Sequence, residues 1–74
     1  MLYLFEMIEL QDPFLNRVSY GILEKKLEGC RVLETACIPG ISCDEVFVAQ
    51  LMERCERNQL DPIYLLDVVM DAIS

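Results

Sequence analysis

Three proline-containing pairs, Asp12-Pro13, Pro39-Gly40 and Asp61-Pro62, punctuate the chain and limit how far any one element can run. An aspartate can cap a helix, and a proline behind it has the φ suited to the first helical position, so Asp12-Pro13 and Asp61-Pro62 each predict a helix start. Pro39 cannot continue a helix and pushes Ile38 out of the helical region, while Gly40 permits a turn, so the preceding element is expected to end there. Ser42 with Glu45 three residues later has the spacing of a capping box, which predicts another helix start. Asp44 adds negative charge where the helix dipole favours it.

The apolar spacing between these marks reads as helical. Phe14, Val18 and Ile22 recur every four residues beside Leu15, Leu23 and Leu27, while Asn16, Arg17, Tyr20, Glu24, Lys25 and Glu28 fill the opposite face. Cys30, Leu33 and Cys37 continue that stripe. A helix through Gly29, straight or kinked, is therefore preferred to a break there, since a glycine costs about 1 kcal/mol in a helix and a long apolar loop is uncommon. From Cys43 to Arg57, Phe47, Leu51 and Cys55 form one row and Val48 and Met52 a second, with Glu53 four before Arg57 on the wet side. Residues 1–10 fit either a helix or a strand. A helix is favoured, because a strand needs a partner and only Arg31 to Ile38 offers one.

The expected fold is a single all-α domain over residues 1–74. It is a small bundle of three main helices, residues 13–37, 43–57 and 62–73, with a helical turn or short helix before them. So short a chain buries only about 60% of its unfolded surface. Yet 54% of its residues are hydrophobic, which points to completion of the bundle by oligomerisation or a partner.

Composition excludes several functions. Thirteen acidic residues against six basic ones give a net charge of −7, which repels a phosphate backbone and argues against direct nucleic-acid binding. There is no histidine, so the commonest general base and metal ligand is missing, and Ser19, Ser42 and Ser74 have nothing to activate them. Cys30, Cys37, Cys43 and Cys55 lie seven, six and twelve positions apart, unlike the close pairs of zinc sites. They are expected to be reduced, buried structural thiols. Carboxylates in so small a domain are expected on caps and wet faces. Neither a signal peptide nor a spanning segment is read, so a cytoplasmic protein with no cofactor, no metal and no membrane contact is expected.

The last predicted helix, 62–73, carries the functional reading. Tyr64, Asp67, Asp71 and Ser74 fall within an arc of roughly 80° and every other position is apolar, as in a helix sandwiched between two surfaces. Leu65, Leu66, Val69 and Ile73 lie opposite that arc and are expected in the core, with Ile63 and Met70 at its edge. The partner contact is assigned to Ile63, Leu66, Val69, Met70 and Ile73. The resulting expectation is a non-enzymatic protein–protein interaction module, a homodimer or a subunit of a hetero-complex. An acidic mimic of DNA that inhibits a nucleic-acid-binding protein is the alternative, and a thiol-redox protein or small enzyme subunit the third reading.

Overall fold

The computed structural model describes residues 2–74. It contains three strands, β1 (Leu2–Asp12), β2 (Arg17–Glu28) and β3 (Arg31–Ser42), followed by two helices, α1 (Glu45–Arg57) and α2 (Pro62–Ile73). The strands form one antiparallel sheet in the order β1-β2-β3. The expectation of an all-α bundle is thus corrected. The segment expected as a helix over 13–37 is β2 with most of β3, and the N-terminal segment is β1. Residue 1 of that segment lies outside the described residues.

Each misread boundary has a local cause. Asp12 Oδ1 accepts the N–H groups of Phe14 at 3.0 Å and Leu15 at 3.3 Å, which is how an N-cap opens a helix. The turn ends after one round because Asn16 takes φ 49°, and the chain returns as β2. Gly29 and Cys30 are the two residues between β2 and β3. Gly29 has φ 62° and Cys30 has no positive φ, the pattern of a hairpin turn with glycine at its first central position. Pro39-Gly40 does not end its element either. Tyr20 pairs with Ser42 and Ile22 with Ile38, so the pair is accommodated as a bulge within β3, with Gly40 at φ 64°.

A second bulge leaves Thr35 between the partners of Glu24 and Lys25, and the Thr35 hydroxyl donates to the Glu24 carbonyl at 3.1 Å. Strand β1 pairs with β2 along its length, from Leu2 opposite Leu27 to Asp12 opposite Arg17. The strand alternative for the N-terminus therefore holds with a different partner from Arg31 to Ile38.

The helices start where local chemistry places them. Asp44 caps α1, its Oδ1 accepting the Phe47 N–H at 3.2 Å. Ser42 is not the cap; its Oγ accepts the Asp44 N–H at 3.0 Å and holds the capping residue in place. Asp61 caps α2 through the Ile63 N–H at 3.0 Å, with Pro62 just inside. Arg57 pairs with Glu53 at 3.1 Å.

Both helices cover one face of the sheet. The core joins Phe5 and Ile22 of the sheet to Val48, Leu51 and Cys55 of α1 and Leu65 and Val69 of α2. Strand alternation puts Tyr3, Met7, Tyr20, Ala36 and Ile38 on the same side, and they pack around that core. The opposite side chains, from Leu4 and Ile8 to Leu23 and Leu27, are outside it. The molecule measures 41 × 24 × 18 Å, so its thinnest dimension is one sheet and one layer of helices.

Candidate protein-binding surface

Helix α2 is divided by its packing on the sheet. Leu65 and Val69 are buried, with Val68 and Ala72 packed beside them. The apolar residues next to this stripe remain in solvent: Ile63 is 75% exposed, Leu66 57%, Met70 56% and Ile73 48%. They form a ridge at spacings of three, four and three, the a/d spacing that one helix presents to another. Asp67, Asp71 and Tyr64 occupy the remaining arc.

The sequence reading placed Leu66, Val69 and Ile73 in both the core and the contact, and the structure separates them. Val69 is 1% exposed and belongs to this chain's own core. Leu66 and Ile73 stand on the open ridge. The apolar arc of α2 is wide enough for two stripes, and its fit over β3 chooses Leu65 and Val69 for the inside.

The ridge runs into a recess at its C-terminal end. A hollow of about 390 Å³ is lined by Ile41, Ser42, Asp44, Phe47, Ala72 and Ile73, where the end of α2 meets the start of α1. Ile41, Phe47, Ala72 and Ile73 give it apolar walls, and Ser42 and Asp44 a polar, acidic side. From residue 58 to residue 74 there are three carboxylates, Asp61, Asp67 and Asp71, and no lysine or arginine. The ridge is thus an apolar strip on an acidic segment.

The other chemical candidates separate from this surface. Cys30, Cys37 and Cys43 are exposed and only Cys55 is buried, which corrects the expectation of four buried thiols. Burial, with the carboxyl of Glu24 nearby, pushes the Cys55 thiol above its ordinary value. It holds less thiolate at neutral pH than a reactive cysteine requires. Among the described residues no group of three or more His, Cys, Asp or Glu side chains is placed to hold a metal ion. No described helix is long and apolar enough to cross a membrane.

Glu24, expected on a wet face, is fully buried on the helix side of the central strand. Neither carboxyl oxygen has a hydrogen-bond partner. Desolvation, reinforced by the charge of Asp61, raises its pKa to about 7. The sequence signal was available, since residues opposite Phe5 and Ala36 in register share their face, but it appears only once β2 is read as a strand.

The other face of the sheet is also partly apolar. By register its cross-strand rows are Leu2, Leu27 and Val32; then Leu4, Lys25 and Glu34; then Glu6, Leu23 and Cys37. Ile8 stands opposite Gly21, and Leu10 opposite Ser19. Lys25 reaches Glu6 at 3.0 Å.

No curated protein and no solved structure matches the chain. The model of a family of unknown function, DUF6514, matches residues 3–74, and the chain belongs to that family.

Proposed function

We propose that the protein is a non-catalytic interaction module whose α2 ridge receives an amphipathic helix of a partner protein, one with lysine or arginine beside its apolar seam. The observation that carries this reading is the row Ile63, Leu66, Met70 and Ile73, left in solvent on a capped and anchored helix. A helix packs on such a row by placing its side chains in the gaps between turns. Met70, unbranched and polarizable, can adjust to the shape it meets. The hollow at Ile73 offers a place for one larger apolar anchor.

Charge selects the partner's chemistry. The segment that carries the ridge, residues 58–74, has three carboxylates and no basic side chain, so a second α2 laid against the first meets like charge, whereas a basic-flanked helix meets opposite charge. Catalysis has little support beside this, with no histidine in the chain and a buried thiol held in its protonated form.

The experiment is a titration of ¹⁵N-labelled protein with an 18-residue designed helix carrying leucines at three-four spacing and lysines beside them. Amide shifts centred on Ile63, Leu66, Met70 and Ile73 and on the Phe47 recess are expected. Shifts centred on the hairpin tip at Phe14, or none at all, would overturn the reading.

A further inference from the structure

We infer that the helix-free face of the sheet, through Leu4, Ile8, Leu10, Leu23, Leu27 and Val32, is the contact by which two copies of this chain pair face to face. Antiparallel sheets commonly leave one face in water, and that face is then polar. Here apolar side chains share the face with Glu6, Lys25 and Glu34. Leu4, Leu10 and Val32 are exposed, and Ile8, Leu23 and Leu27 are partly so. Every one of them lies outside the packed core.

Three observations choose a second copy as the occupant. The first is charge. Between its two ends this face bears Glu6, Lys25 and Glu34, with the lysine bonded to one acid and opposite the other in register. Two acids and one lysine leave these three at −1 in a chain of net charge −7, so a copy approaching the face meets little repulsion. The α2 ridge has the opposite property.

The second is area. Three strands about 4.8 Å apart and about 40 Å long give a flat footprint on the order of 600 Å². The smallest specific interfaces bury about that much per partner, which fits a dimer of micromolar rather than nanomolar strength.

The third is shape. The sheet is covered on one side only, and two such sheets stack at about 10 Å with their strands roughly aligned. Pairing about a twofold axis puts the same patch on both sides and closes the assembly at two. The α2 ridges then remain on the outer surfaces, free for their own partners. The two proposals are therefore independent, and the failure of one leaves the other standing.

Light scattering coupled to gel filtration at 100 µM protein tests the pairing, with circular dichroism as the check of fold. The chain weighs 8.5 kDa, and the wild type is expected to elute at twice that mass. Leu23→Lys, at the centre of the face, is expected to keep the native spectrum and run as a monomer. Leu10→Lys, near the edge, should weaken the dimer at least tenfold and decides the matter if Leu23→Lys does not fold. Met70→Glu should leave the dimer intact. A monomeric wild type, a folded Leu23→Lys that stays dimeric, or a folded Met70→Glu that becomes monomeric would each overturn the inference.

Discussion

The side chain of Gln59 closes a ring of two hydrogen bonds with the backbone of Tyr3, at 56 residues' separation. The Tyr3 N–H donates to Gln59 Oε1 at 2.8 Å, and Gln59 Nε2 donates to the Tyr3 carbonyl at 3.0 Å. The amide pairs with the outer edge of β1 much as another strand would. It does so from a left-handed backbone, φ 47°, at the end of α1. There the Gln59 N–H reaches the Glu56 carbonyl and the Leu60 N–H reaches the Cys55 carbonyl, both at 3.0 Å. Glycine is the usual residue at such a helix end. Glutamine is strained there by about 1 kcal/mol, and the link to β1 offsets that strain.

Replacing Gln59 separates the two effects. Gln59→Ala keeps the strain and loses both bonds to Tyr3, so a loss of about 1–3 kcal/mol is expected in urea unfolding. Gln59→Gly loses the bonds but relieves the backbone, and should be less harmful than Gln59→Ala by about 1 kcal/mol. Equal losses would mean that the left-handed turn carries no strain.

Glu24 predicts an unusual pH dependence. Burial raises its pKa in the fold to about 7, from an ordinary 4.5, so the folded state binds its proton more tightly than the unfolded chain does. The stability it contributes is complete below about 4.5 and is lost as pH rises through about 7. Thermal unfolding should therefore occur at a lower temperature at pH 8 than at pH 6. Glu24→Met removes the unpaired carboxyl with little change of volume, and should raise Tm at pH 8 by about 5 °C or more. The difference between the two proteins should shrink towards pH 5. A constant difference would show that Glu24 does not titrate in this range.

Gly21 is needed for contact rather than for backbone freedom. A Cβ there would meet the Ile38 carbonyl oxygen and lie 2.7 Å from the Pro39 Cα, because the bulge of β3 leans across the central strand. Both obstacles are backbone. Gly21→Ala is expected to destabilise the fold by about 1–3 kcal/mol, whereas Gly29→Asn, in an open turn with a positive φ, should cost less than 1 kcal/mol.

The two helices were legible because their signals are local: Asp61-Pro62 sits at the start of α2, and the acids of residues 44 and 45 at the start of α1. The strands were not, for reasons visible in β2. A spacing of four, as in Phe14, Val18 and Ile22, satisfies a period of two as well as one of 3.6. The inward set Val18, Tyr20, Ile22, Glu24 and Lys26 would have shown alternation, had two charged residues not interrupted it. The capping by Asp12 serves a helix and a hairpin equally until Asn16 decides. In the candidate surface, the width of the apolar arc on α2 could be read from the sequence. Which half of it faces the sheet depends on the fit of Leu65 and Val69 against β3, and no local pattern encodes that.

Core and ridge of α2 should respond differently to charge. Val69→Asp buries an unpaired carboxylate and should unfold a domain of this size, whose stability is about 4–11 kcal/mol. Met70→Glu places its charge in water and should change Tm by no more than about 2 °C. Comparable melting of the two variants would place Met70 in the core.

If the exposed ridge of α2 is the binding surface, the dissociation constant of Met70→Glu must differ from that of the wild type. Anisotropy of the labelled designed helix gives that constant for the wild type and the variant at 50 and 300 mM salt. A charge in the apolar seam should weaken binding at least tenfold, and the wild-type constant should change only a few-fold with salt, as expected for apolar contact. An unchanged constant in a folded Met70→Glu protein, or wild-type binding that disappears at 300 mM salt, would contradict the account.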